Sequence, residues 1–114
     1  MNVLITGGAG FIGSHLCDKL VEANFITVID DLSLGKLENI SHLISHVNFK
    51  FIKADINNCD LDKIFLDGKF DIVYHLAANS DIARSFSNPQ EDISKTFMTT
   101  FSLLNVMRKF EVKK

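Results

Sequence analysis

The chain has no tryptophan, one tyrosine and one proline among its 114 residues. A single proline and an apolar share of 46% exclude a collagen-like or disordered chain. Charge of one sign is also missing: a net charge of −2 leaves no basic footprint, so nucleic acid is not an expected partner. No apolar run reaches the roughly 18 residues that a spanning helix needs, so no membrane partner is expected. Met1-Asn2-Val3-Leu4-Ile5 has no positive region before its apolar residues, and Gly7 and Gly8 follow at once. It reads as a strand and not as a secretion signal. Cysteine is scarce. Cys17 and Cys59 lie 42 positions apart with no Cys-x-x-Cys, which excludes a zinc ribbon and a thioredoxin-type redox site. Two free thiols in a reducing cytoplasm are expected.

What the chain does have is an alternation of short β-type runs and longer helical ones. Val3 to Thr6 is an apolar run ended by glycines, a first strand. Phe11 to Ala23 carries Ile12, Leu16, Leu20 and Ala23 at helical spacing. Phe25 to Ile29, ending in Asp30-Asp31, is a second strand. Leu37 to Ser45 carries Leu37, Ile40 and Ile44 and predicts a short helix. Val47 to Ile52 is a third strand, Leu61 to Leu66 a helix, and Phe70 to Leu76 a fourth strand. A last helix is expected over Glu91 to Lys109, after Pro89. Near-continuous apolar strands separated by helices predict an α/β fold with a parallel sheet covered on both faces. About four strands and four helices are half to two-thirds of a doubly wound domain. The expected strand order is 3-2-1-4. The expectation is a truncated sheet in which strand four is an open edge that invites aggregation. The isolated chain is then marginally stable or oligomeric.

Between the first strand and the first helix lies Gly7-x-x-Gly10-x-x-Gly13. Gly7 permits a sharp turn. Gly10 lets a pyrophosphate approach the backbone, and Gly13 lets the helix pack close to the sheet. The helix N-terminus offers unpaired N–H groups to the phosphates. An acidic residue at the end of the next strand completes the pattern: Asp30 lies 20 positions beyond Gly10. Its carboxylate can accept hydrogen bonds from ribose hydroxyls and repels a 2′-phosphate, which points to NAD over NADP. Asp31 could share that role or cap the next segment, and Lys36 is near enough in sequence to weaken the preference. Together these features predict a Rossmann-type, NAD-binding sheet.

These motifs resemble the extended short-chain dehydrogenase/reductases, the NAD-dependent epimerase/dehydratase family that includes UDP-glucose 4-epimerases. Thr6-Gly7-Gly8-Ala9-Gly10-Phe11-Ile12-Gly13-Ser14-His15-Leu16 is similar to the family's opening. Asp30 to Gly35, Asn39-Ile40, Ala54-Asp55-Ile56, and His75-Leu76-Ala77-Ala78 with Ser85 and Pro89 follow in the family's order. The resemblance runs from Asn2 to Lys114 and covers the family's N-terminal third. It implies that Gly7, Gly10, Phe11, Ile12 and Gly13 hold the pyrophosphate. Asp30, Asp31, Leu32 and Ser33 hold the ribose, and Asp55 and Ile56 flank the adenine. Leu76, Ala77 and Ala78 line the nicotinamide side. It also implies an NAD that takes a hydride from a sugar carbon of a nucleoside-diphosphate sugar and returns it. Residues 1–114 are thus expected to be the N-terminal portion of an NAD-binding domain, without the catalytic and substrate-binding part.

The family's acid/base is the Tyr of a Tyr-x-x-x-Lys motif. Here the sole tyrosine is Tyr74, and Ala78 stands where the Lys would be. Tyr74 is expected to pack in the core, no catalytic residue is assigned, and the chain alone is expected to be inactive. The other reading is a complete, non-catalytic dinucleotide-binding module or a decayed gene fragment. The last helix departs from the family: Thr96, Thr99 and Thr100 stand where Asn, Gly and Thr are usual. Its stripe of Ile93, Phe97, Phe101, Leu104 and Met107 is expected mainly to face the sheet. The resemblance adds that this helix joins a homodimer interface. Of the remaining polar residues, His42 and His46 suggest a solvated face with no patterned metal ligand. His75 reads as a satisfied core histidine. Asp81 and Arg84 read as a surface pair, or as groups facing the substrate.

Overall fold

The computed structural model describes residues 1–114. Four strands form one parallel sheet in the order β3-β2-β1-β4, as expected. They are β1 (Asn2–Thr6), β2 (Phe25–Asp30), β3 (Phe49–Lys53) and β4 (Ile72–His75). The central strand β1 aligns Val3 with Ile26 on one side and with Ile72 on the other.

Alternation along β1 and β2 builds two cores. Val3, Ile5, Ile26 and Val28 pack with Cys17, Val21, Ile40 and Leu43 on one face. Leu4 and Ile29 pack with Phe65, Phe70, Leu103 and Val106 on the other. Successive strand residues point to opposite faces, so a run apolar at every position feeds both cores at once. Each of these larger side chains contributes about 1.5–3 kcal/mol when fully buried.

The helices cover the two faces. α1 (Phe11–Leu20) ends three residues before the expected Ala23, where the Asn24 side-chain amide donates to the Leu20 carbonyl at 3.0 Å. α2 spans Leu61–Gly68, with the Asp60 carboxylate accepting from the Lys63 amide at its start. The short helix expected over Leu37 to Ser45 is instead two tight 3₁₀ turns, Leu37–Asn39 and Ser41–Leu43. Ile40 breaks the helical path at φ −124° and is fully buried. β3 begins at Phe49 and not at Val47, which is 85% exposed. β4 is shorter than the expected run, because Phe70 leaves the sheet to join the second core.

One helix was not expected: α3 (Ile82–Ser87), capped by the Asp81 carboxylate, which accepts from the Arg84 amide at 3.2 Å. The last helix runs as α4 (Gln90–Asp92), a π-helical turn (Ile93–Met98) and α5 (Thr99–Lys109). Two expectations about this region fail. Tyr74 is 37% exposed, because β4 is an edge strand with no neighbour to cover that side chain. Ile93, Phe97, Phe101 and Leu104 are each more than half exposed, because α5 turns Thr99, Leu103 and Val106 to the sheet instead. The open edge of β4 is partly occupied: the Val73 amide donates to the Lys114 carbonyl at 2.8 Å.

Candidate functional site

The C-terminal ends of the strands open into a cleft, the place where open parallel sheets put their ligands. Gly7 stands at its floor with φ +72°. A Cβ there would come within 2.8 Å of the Ala77 amide nitrogen. A Cβ on Gly13 would strike the Gly7 carbonyl oxygen. Both glycines therefore serve close backbone approach, the first between loops and the second between helix and loop.

Gly10 caps α1 with extended backbone and no side chain. The amides of Phe11, Ile12 and Gly13 make no hydrogen bond within the chain, since the ladder starts with Ser14 N–H donating to the Gly10 carbonyl at 3.0 Å. No acidic residue lies in the first turn of α1. Three free donors and the positive end of a ten-residue helix make an anion seat.

The turn after β2 clamps this loop through Ala9. The Asp30 carboxylate accepts from the Ala9 amide at 2.9 Å and from the Leu32 amide at 2.9 Å. The Ala9 carbonyl accepts from the Lys36 amide at 3.0 Å and from the Asn39 side-chain amide at 2.9 Å. Leu32 is held in the left-handed region, φ 61°, by that second bond to Asp30. Asp31 accepts from the Ser33 amide at 2.9 Å, so it does cap its own turn. Asp55 does the same for Asn57 at 2.9 Å.

Of the residues expected at the site, Gly7, Gly10, Phe11, Asp30, Asp31, Ser33, Asp55, Ile56, Leu76, Ala77 and Ala78 line the cleft together. Ile12, Gly13 and Leu32 do not line it. The first two adjoin it as members of the amide seat, and Leu32 packs against the first core. Lys36 stays outside and contributes its backbone. Leu34, Gly35 and Ala54, which lie within the motifs Asp30 to Gly35 and Ala54-Asp55-Ile56, line it as well, and sequence reasoning missed Ile29, Ser80, Lys95 and Thr99. Ile29 flanks Asp30, so adjacency alone could have found it. Lys95 carried no such signal.

The wall formed by Leu76, Ala77 and Ala78 is tied to the sheet by His75. The Thr100 hydroxyl donates to the Thr96 carbonyl at 2.7 Å, so it accepts from His75 Nε2–H at 2.9 Å. His75 Nδ1 then accepts from the Thr6 hydroxyl at 2.7 Å, and that oxygen accepts from the Ala77 amide at 3.3 Å. This chain of bonds is complete with a neutral imidazole, and burial pushes the His75 pKa down. Asn79 locks the loop beyond: its amide donates to the Thr96 hydroxyl at 3.1 Å, and its side chain donates to Asp92 at 3.1 Å. Thr96 thus makes a polar contact at the place where the family usually has Asn. His42 and His46 lie outside the cleft, facing Asp18 at 2.7 Å and Glu22 at 3.9 Å. Asp81 and Arg84 form a surface pair at 3.4 Å. No three His, Cys, Asp or Glu side chains converge as metal ligands. No helix is long and apolar enough to cross a membrane.

A family model described as GDP-mannose 4,6 dehydratase matches residues 4–114. The chain belongs to the NAD-dependent epimerase/dehydratase family. It is 37% identical over 113 residues to a putative UDP-glucose 4-epimerase of Methanocaldococcus jannaschii, covering 98% of this chain and 35% of that protein. UDP-glucose 4-epimerase of Thermotoga maritima, solved with UDP-glucose, superposes with a TM-score of 0.89 at 38% identity, over 99% of this chain and 36% of that one. The UDP-glucose 4-epimerase of Thermus thermophilus, solved with NAD, gives 0.85 at 31% identity, over 99% and 35%. The chain therefore spans about a third of the length of these epimerases and corresponds to their N-terminal part.

Proposed function

We propose that this chain is the NAD-binding portion of a protein that transiently oxidises a sugar carbon of a nucleoside-diphosphate sugar. The observation that carries the reading is the seat of three unpartnered amides at Phe11, Ile12 and Gly13, beside the carboxylate of Asp30. An anion seat and a carboxylate at one cleft suit the two chemistries of an adenosine diphosphate, phosphate and vicinal hydroxyls. The fit is in the donor set: Gly10 has no side chain to fill the approach, and each Asp30 oxygen, engaged by one amide, keeps a lone pair for a ribose hydroxyl.

In this reading Gly7, Gly10, Phe11, Ile12 and Gly13 hold the pyrophosphate, and the turn Asp30 to Ser33 holds the ribose. Asp55 and Ile56 flank the adenine, and Leu76, Ala77 and Ala78 set the nicotinamide against the sheet. NAD when bound supplies the hydride acceptor. The residues of this chain bind and orient it. None moves a proton at the sugar, because Tyr74 lies in strand β4 with Ala78 four positions on. The exposed stripe of Ile93, Phe97, Phe101 and Leu104 supports a homodimer through the last helix.

Titration calorimetry with NAD, followed by an activity assay on UDP-glucose, tests the proposal. Saturable NAD binding, weaker NADP binding and no epimerised or dehydrated sugar are expected. Absence of NAD binding overturns the cofactor reading, and a converted sugar overturns the inactivity of the chain on its own.

A further inference from the structure

The cleft is lined by three carboxylates, Asp30, Asp31 and Asp55, and by a single cationic side chain, Lys95. A doubly anionic pyrophosphate entering such a lining meets repulsion that α1 offsets only in part, since its N-terminus amounts to about half a charge. The position of Lys95 is set by its neighbours. The Ser94 carbonyl accepts from the Asn57 side-chain amide at 2.7 Å, just beyond Asp55 and Ile56. The Thr96 hydroxyl accepts from the Asn79 amide at 3.1 Å, just beyond Ala77 and Ala78. Lys95, between these two anchored residues, lines the cleft together with Gly7, Gly10 and Phe11.

The π-helical turn Ile93–Met98 contributes to this placement. The Ser94 carbonyl also accepts from the Thr99 hydroxyl at 3.2 Å, so its two lone pairs serve the side chains of Asn57 and Thr99 within this wider turn. Lys95 is half-buried and makes no ion pair with any residue of the chain. The three carboxylates are already engaged by backbone amides: Asp30 by Ala9 and Leu32, Asp31 by Ser33, and Asp55 by Asn57.

We propose that the Lys95 ammonium binds the pyrophosphate together with the N-terminus of α1, which lines the same cleft, so that the anion is held by a helix end and a point charge. This inference rests on the dinucleotide reading of the cleft. Its test measures the binding of NAD, ADP-ribose and adenosine to the chain and to Lys95→Met and Lys95→Arg, each at low and high salt. Lys95→Met is expected to weaken NAD and ADP-ribose by about ten-fold or more and to leave adenosine unchanged. Lys95→Arg is expected to retain most of the affinity. The unaltered chain should show a steeper salt dependence for NAD than for adenosine. Equal NAD affinity in Lys95→Met, or an equal loss for adenosine, overturns the role of Lys95 while leaving the dinucleotide site intact. Should Lys95→Met fail to fold, the salt comparison on the unaltered chain decides, and identical slopes for NAD and adenosine overturn the proposal. No NAD binding by the unaltered chain overturns the dinucleotide reading and this inference with it.

Discussion

His75 shows how one half-buried side chain couples the sheet to the cleft. Its neutral ring is the centre of a relay from Thr100 to Thr6 to the Ala77 amide. Protonation would turn Nδ1 from acceptor to donor and leave the Thr6 hydroxyl proton without its partner. Burial holds the pKa below the ordinary value of 6.5, so the unfolded chain binds this proton more readily than the folded one. The contribution is therefore complete above about pH 6.5 and is lost as the pH falls through the lower, folded-state value. Thermal melts should show the midpoint falling between pH 7 and pH 5, with a shallower slope for His75→Asn. An unchanged slope would remove the neutral relay as its source. Cys17 carries the opposite sign: burial pushes its thiol up to about 12, so it stays protonated and inert to thiol reagents at pH 8.

Among the elements, the last helix separates what holds the fold from what remains on view. Leu103 is buried at the second core, whereas Phe101, two positions earlier, is 52% exposed. Leu103→Ala should cost about 2–5 kcal/mol in denaturant unfolding. Phe101→Glu should change stability by about 0.5 kcal/mol or less and weaken self-association about ten-fold or more in sedimentation. Absence of self-association, or self-association undisturbed by that charge, would overturn the proposed dimer through this face.

The same helix marks where sequence stops being legible. Its apolar stripe is periodic, but periodicity locates a face without saying whether a sheet or a second copy covers it. The glycine turn was legible because Gly7 and Gly13 answer to backbone contacts that no other residue tolerates. The two 3₁₀ turns were not, because they follow from tertiary bonds, Asn39 reaching Ala9 and Ile40 entering the core. Lys95 was hidden for a similar reason: its place depends on Asn57 and Thr99 sharing the Ser94 carbonyl. The Asp81 cap of α3 was visible as Asp before an apolar residue, a signal masked by reading Asp81 as half of an ion pair.

At the scale of the whole molecule, the strand order has a consequence in time. β1 precedes its partners β2 and β4 in the chain and is one of the two interior strands of the sheet. Val3 finds its β2 partner Ile26 after 23 positions but its β4 partner Ile72 only after 69. Closing the longer loop carries the greater entropic cost, so the β1–β4 crevice should be the late event of folding. Ala77, beside Gly7, belongs to that crevice. A ligand that needs both walls can grip only the finished sheet. In stopped-flow experiments NAD should then slow unfolding in proportion to its saturation and leave the refolding rate unchanged. A refolding rate that rises with NAD would mean that the crevice forms early. On the expected outcome, the cofactor acts as a latch on a sheet that assembled without it.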